Sequence, residues 1–143
     1  MRVKSLIVWS ENMSVGVPEI DNEHKSMIDI IGKLYSCRKD NSRKVLPQSV
    51  SSLISHTIEH FTSEEDYMKK IQFSEWSEHC EIHKVFLDRL VSLEKKMGAN
   101  DLFVLGDNEL NEIARWLFNH ILTDDKDYAI FAARLANVQL AEC

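Results

Sequence analysis

Five of the six histidines in the chain (His24, His60, His79, His83 and His120) fall, with one glutamate, inside apolar stripes that recur at helical spacing, and an aspartate follows the last stripe. The stripes read Met27, Ile31, Leu34 after His24; Val50, Leu53, Thr57, His60, Glu64, Tyr67; Trp76, His79, His83, Phe86, Leu90, Leu93; and Leu110, Ile113, Leu117, His120. A lone histidine on such a face is ordinarily a core residue bonded to a nearby carbonyl. Histidines in four stripes at once point instead to a metal centre, because converging imidazoles and carboxylates share a cation whereas unpaired ones in a core are costly. His60 with Glu64 and His79 with His83 are spaced to share a helix face about one turn, roughly 6 Å, apart.

The elements that must position these groups are helices. Four glycines and two prolines leave little material for the tight turns of an all-β fold. Met1 to Val17 has no sustained period and reads as an N-terminal arm anchored by Trp9. Pro18, followed by Glu19, Asp21 and Glu23, opens a first helix to about Lys39. Arg38 to Lys44 is a charged connection, and Pro47 marks a second helix to about Lys70. Ile71 to Glu75 is a turn, and Trp76 to Met97 a third helix. Gly98, Asn100, Gly106 and Asn108 bracket a connection, after which Asp107 caps a fourth helix to about Leu122. Thr123 to Asp127 reads as a break before a short fifth helix, Tyr128 to Leu140. The expected fold is therefore all-α: one domain over 1–143, an antiparallel up-down-up-down four-helix bundle over 18–122 between the arm, 1–17, and a C-terminal segment, 123–143. Alternating direction brings the start of the first and third helices and the end of the second and fourth to one level, and with them the histidines.

The chain has 143 residues and a net charge of −6 without a basic patch, so neither nucleic acid nor an anionic membrane surface is an expected partner. The apolar run Leu6 to Trp9 is too short for a signal-peptide core, and no stretch is long enough to span a bilayer. Three cysteines, Cys37, Cys80 and Cys143, form no paired spacing and suit reduced thiols in the cytoplasm. His79-Cys80 and His83 lack the second cysteine of a structural zinc site.

Five imidazoles and two carboxylates are too many for one metal, and two carboxylates suit bridging a pair. Thiolate-free, imidazole-rich ligation suits iron, copper, zinc or nickel, and carboxylate bridges favour iron. The carboxylate-rich di-iron bundles use Glu-x-x-His motifs, and this chain has none, which argues against oxidase chemistry.

Val15-Gly16-Val17 leading to Ile20-Asp21-Asn22-Glu23-His24-Lys25, then His60-Phe61-Thr62-Ser63-Glu64-Glu65 with Met68, then His79-Cys80-Glu81-Ile82-His83, and finally Trp116-Leu117-Phe118-Asn119-His120-Ile121 with Asp125 resemble the hemerythrins, in particular the bacterial hemerythrin-like proteins. The resemblance spans nearly the whole chain. It implies that His79, His83 and His120 bind one iron, that His24 and His60 bind the other, and that Glu64 and Asp125 bridge them together with an oxo or hydroxo group. It also implies an open position for dioxygen beside an apolar pocket of Trp116, Leu117 and Ile121. Spacing alone selects Asp124, four residues after His120, because Asp125 falls about 140° round a regular helix. Asp125 requires the helix to end or distort near Thr123. Phe73-Ser74 replaces the aromatic-proline pair common in relatives. His56 lies outside the implied ligand set, and Glu65, Asp66 and Asp124 read as solvated surface. Lys69 and Lys70 suit the end of a helix dipole. The expected function is reversible binding of dioxygen by a stand-alone cytoplasmic protein that is not an enzyme. The alternative is a sensor of oxygen, redox state or nitric oxide using the same site.

Overall fold

The computed structural model describes residues 8–39, 46–99 and 106–141. The first residues of the arm, most of the charged connection, Asn100 and Cys143 lie outside the described residues, as does the side chain of Cys37. The order is a short 3-10 turn (Glu11–Met13), α1 (Pro18–Lys39), α2 (Leu46–Lys70), α3 (Trp76–Ala99), α4 (Asp107–His120), a π-helical turn (Ile121–Asp125) and α5 (Lys126–Ala141). There is no strand among the described residues.

Side-chain pairs fix the directions. Ser51, early in α2, donates to Glu94, late in α3 (2.9 Å), while Glu65 and His83 meet at the opposite ends of the same helices. Arg89 pairs with Glu112 across α3 and α4, and His83 meets His120 further along, again antiparallel. The predicted stripes are the core: Met27, Ile31, Leu34, Val50, Leu53, Phe86, Leu90, Leu110, Ile113 and Leu117 are buried in one cluster. Each such side chain contributes about 1.5–3 kcal/mol through its removal from water. A second apolar cluster of Val15, Ile20, Met68, Phe73 and Tyr128 closes the other end of the bundle.

The arm is fastened to this second end. Gly16 has φ +77°, a conformation that favours glycine, and the chain around it folds back so that Ser14 Oγ (2.6 Å) and the Val15 amide (2.9 Å) donate to Asp21 in the first turn of α1. Lys126 Nζ donates to the Ser14 carbonyl (2.5 Å), tying arm to α5. Trp9 packs against the main core, with Lys25 Nζ 4.9 Å above its ring.

Two local expectations are corrected. Gly106, in extended conformation, occupies the N-cap of α4 and Asp107 is already helical. The break over Thr123 to Asp127 is absent: the helix runs on through the π turn into α5. Polar residues that look like a helix end are there because two of them serve the interior.

Candidate metal centre

Packing each hydrocarbon stripe turns the polar residues of the same stripe inward. His24, His60, Glu64, His79, His83, His120 and Asp125 are all buried, none more than 3% exposed. Their donor atoms form two overlapping groups, Glu64, His79, His83, His120, Asp125 and His24, His60, Glu64, Asp125, with the atoms of each group within 4.8 Å of one another. The two carboxylates belong to both. Asp125 Oδ1 lies 3.1 Å from His79 Nε2 and 3.0 Å from His120 Nε2, while Oδ2 lies 3.1 Å from His24 Nε2. Glu64 Oε1 lies 2.9 Å from His60 Nε2 and 3.3 Å from His83 Nε2, and Oε2 lies 3.7 Å from His24 Nε2.

These residues fit a metal. His24 Nε2, His60 Nε2, His79 Nε2, Glu64 Oε1 and both Asp125 oxygens are buried without a hydrogen-bond partner, an arrangement that is costly unless a cation satisfies it. Neighbouring donors about 3 Å apart are what metal–ligand bonds of about 2.1 Å impose at right angles. His83 Nε2 and His120 Nε2 face each other at 3.2 Å, where a cation resolves the competition between two imidazole nitrogens.

Without a metal the same groups neutralise one another with protons. Burial opposes the charged form of His60, but the Glu64 carboxylate beside it and the hydrogen bond to Glu23 hold it at about 10. Burial likewise opposes the charge on His120, and Asp125 with Asp124 raises it to about 10. His24 is raised against its own burial by Asp125 and Glu64. Glu64, despite burial, is held well below the ordinary carboxylate range by the charge of His60 and by the His24, His60 and His83 imidazoles around it. Asp125 is depressed too: burial and Glu64 raise it, and His120 and His24 outweigh them. A metal entering the centre therefore displaces protons from imidazole nitrogens.

Three carboxylates stand behind the imidazoles. His60 Nδ1 lies 2.9 Å from Glu23 Oε1, His83 Nδ1 2.8 Å from Glu65 Oε2, and His120 Nδ1 2.9 Å from Asp124 Oδ2. A carboxylate accepts, so each Nδ1 carries the proton and each Nε2 is the nitrogen left for a metal. This corrects the reading of Glu65 and Asp124 as simply solvated: they are about one-third exposed, with an oxygen turned inward.

The π turn explains the placing of Asp125. In an α-helix, residues four and five after His120 lie about 40° and 140° from it. At the π turn's roughly 80° per residue they fall about 40° to either side. One imidazole is thereby held at both nitrogens, Nδ1 by Asp124 and Nε2 by Asp125.

Tyr128 is a residue of this centre that the helical period does not reveal. Fully buried in α5, it donates its hydroxyl to Glu64 Oε2 (2.5 Å). Burial, Glu64 and Asp125 all push its pKa above the ordinary range, so it remains a donor. Around the imidazoles stands an aromatic wall. Phe61 stacks on His83 (3.6 Å, 2°), and Trp116 stacks on His120 (4.5 Å, 16°) with Phe86 behind it (3.9 Å, 9°). Leu117 and Ile121 are fully buried in the same cluster as Phe61 and Phe86, and Trp116 packs against it. His56 is exposed, its Nδ1 2.9 Å from the Ser52 carbonyl, and belongs to neither group. Cys80 is also outside both; burial and Glu65 push its thiol up to about 11.

A bundle that buries two sets of imidazole and carboxylate donors sharing both carboxylates is a metal-binding helical protein. The family model of the hemerythrin HHE cation binding domain matches residues 15–130, and the chain belongs to the hemerythrin family. It is 29% identical over 122 residues to a bacteriohemerythrin of Pseudomonas aeruginosa, covering 85% of this chain and 78% of the relative. It is 28% identical over 130 residues to a bacteriohemerythrin of Methylococcus capsulatus, covering 87% and 95%. A solved wild-type hemerythrin superposes with a TM-score of 0.81 at 26% identity, covering 87% of this chain and 95% of that one.

Proposed function

We propose that the chain binds dioxygen reversibly at a pair of iron ions sharing an oxo or hydroxo bridge, for transport, storage or local supply. His79, His83 and His120 would hold one ion, His24 and His60 the other, and Glu64 and Asp125 both. The observation that carries this reading is the division of Asp125 between His79 and His120 on one oxygen and His24 on the other. When bound, the two ferrous ions would supply the electrons that dioxygen takes up on binding and returns on release.

The chain's own residues favour binding over turnover. Phe61, Trp116, Leu117 and Ile121 give hydrocarbon and ring faces beside His83 and His120, excluding water from the surroundings of the centre. Tyr128 is committed to Glu64 by its hydrogen bond and is held protonated. No helix among the described residues is long and apolar enough to cross a membrane, and a net charge of −6 without a basic patch offers nucleic acid nothing. Three cysteines without paired spacing suit a cytoplasmic setting.

Iron-reconstituted protein, cycled between argon and oxygen, tests the reading: it should carry two irons per chain and show an absorption change that reverses over several cycles. A single tightly held zinc, or sustained consumption of peroxide, overturns it. Leu117→Ala should leave iron content near wild type while accelerating autoxidation, because water gains access. Leu93→Ala, one helix over and farther along the hydrocarbon, should destabilise the fold without that acceleration. Equal autoxidation in Leu117→Ala and wild type would make Leu117 a packing residue only.

A further inference from the structure

Glu64 and Asp125 turn four oxygens into the core, and three of them, Glu64 Oε1 and both of Asp125, have no hydrogen-bond partner among the described residues. The fourth, Glu64 Oε2, accepts from the Tyr128 hydroxyl at 2.5 Å. Oε1 stands between His60 (2.9 Å) and His83 (3.3 Å), whereas Oε2 faces His24 (3.7 Å). A carboxylate oxygen has two lone pairs, so Oε2 can hold the hydroxyl with one and offer the other to an ion on the His24 side.

The aim of the hydroxyl is fixed by the ring that carries it. Tyr128 follows Asp125 by three residues, and its buried ring is met by Tyr67 (5.7 Å, 64°), Phe73 (6.5 Å, 75°) and His79 (5.8 Å, 52°). Lys126, two residues earlier, ties α5 to the Ser14 carbonyl. Packing alone is satisfied by phenylalanine. A buried phenol needs an acceptor, and here the acceptor is a core carboxylate.

Electron supply to the two halves of the core is unequal. His83 and His120, on one side, each have a carboxylate at Nδ1, which raises the basicity of Nε2. On the other side His60 has Glu23, but His24 Nδ1 has no partner among the described residues. Tyr128 adds to this imbalance, because its hydrogen bond draws charge from the carboxylate oxygen on the poorer side. Less charge donated to an iron favours the ferrous over the ferric state.

We propose that Tyr128 is a positioning residue that fixes Glu64 and raises the reduction potential of the ion held by His24 and His60, keeping that ion in the ferrous state that takes up dioxygen. The inference rests on the reading of the core as an iron pair and names what regulates its loss of electrons. The phenol lends a hydrogen bond and takes no part in electron or proton transfer.

Tyr128→Phe keeps the ring and removes the donor. Iron content should stay near two per chain, while the ferrous-to-ferric ratio at a fixed potential falls about tenfold, which is about 59 mV for one electron. Mössbauer spectra of the 57Fe-loaded ferrous protein should show one quadrupole doublet displaced and the other unmoved. Tyr128→3-fluorotyrosine, a stronger donor of nearly the same shape, should move the potential the opposite way. Phe73→Leu, which alters the packing of the Tyr128 ring and leaves its hydroxyl in place, should lower stability and leave both readouts near wild type. A potential unchanged in Tyr128→Phe, or shifted in the same direction by both substitutions of Tyr128, overturns the proposal. If Tyr128→Phe fails to load iron, the fluorotyrosine protein decides alone, and its potential must rise. Wild type without an iron pair sinks the reading of the core and the proposal with it; an intact iron pair whose potential neither substitution of Tyr128 moves sinks the proposal alone.

Discussion

The two ends of this bundle are built by the same four helices at the same period, yet one is filled by hydrocarbon alone and the other, beneath its own apolar cluster, by ionisable groups. At the first, Leu34, Leu53, Leu90 and Leu110 meet with no more than 1% of their surface exposed. At the second, five imidazoles and two carboxylates meet equally hidden, several with no hydrogen-bond partner. Hydrocarbon packing stabilises a fold whether or not anything binds. Buried, partly unsatisfied polar groups do the reverse until a cation arrives, and then their binding energy adds to that of folding. The difference teaches where each kind of energy resides: the leucine end carries the metal-free fold, and the histidine end is held ready by it.

Glu64→Ala should break this comparison most severely. The carboxylate contacts His24, His60, His83 and Tyr128, so its loss strands several buried groups at once. Removing one partner of a buried charge set costs about 3–5 kcal/mol, and metal content by elemental analysis should fall nearly to zero. At the other end, Leu90→Ala should cost about 2–5 kcal/mol in denaturant unfolding and leave metal content intact. If Leu90→Ala lost metal as badly as Glu64→Ala, the ends would not be separable.

The hydrocarbon end was legible in the sequence almost residue for residue, because a stripe such as Phe86, Leu90, Leu93 has one explanation. At the polar end the stripes alone placed His24, His60, Glu64, His79, His83 and His120, since each rides on the apolar period. Asp125 could not be found that way, because a reading at 3.6 residues per turn assigns its face to Asp124; only the resemblance pointed to it, and the π turn supplies the physical reason. Glu23, Glu65 and Asp124 stayed hidden for another cause. Each leaves an oxygen in solvent and so looks like surface, while the other oxygen holds an imidazole presented by the fold. Tyr128 lies beyond the expected break, in a segment whose continuity with α4 was not foreseen.

A smaller effect sharpens the distinction within the polar end. Asp124→Asn keeps an acceptor near His120 Nδ1 but removes the charge, and should weaken metal retention against a chelator about 10- to 100-fold. Asp125→Asn, altering the carboxylate that faces both groups, should do more. Equal losses for the two would mean that the π turn does not separate their roles.

The smallest effect is expected at the turn between α2 and α3, which sets the approach of His60 and Glu64 to His79 and His83. The Phe73 amide donates to the Met68 carbonyl (2.9 Å) and the Gln72 amide to the Lys69 carbonyl (3.1 Å), closing the end of α2 in a Schellman arrangement. Met68 and Phe73 also share the second apolar cluster. The position after the C-cap belongs to Gln72, exposed and at φ +58°, where a side chain costs about 1–2 kcal/mol and glycine does not. Glycine's greater freedom in the unfolded chain offsets about 0.5–1 kcal/mol of that relief. Gln72→Gly should therefore raise stability by at most about 1.5 kcal/mol, and Gln72→Val, β-branched in the same conformation, should lower it. Because the side chain touches none of the core donors, both variants should hold metal as wild type does. Urea unfolding with parallel metal analysis reads the two quantities separately. A Gly variant destabilised as much as the Val variant would show that Gln72 makes a contact outweighing its backbone conformation, and a change in metal content would show that this turn belongs to the polar end's chemistry rather than to its framework.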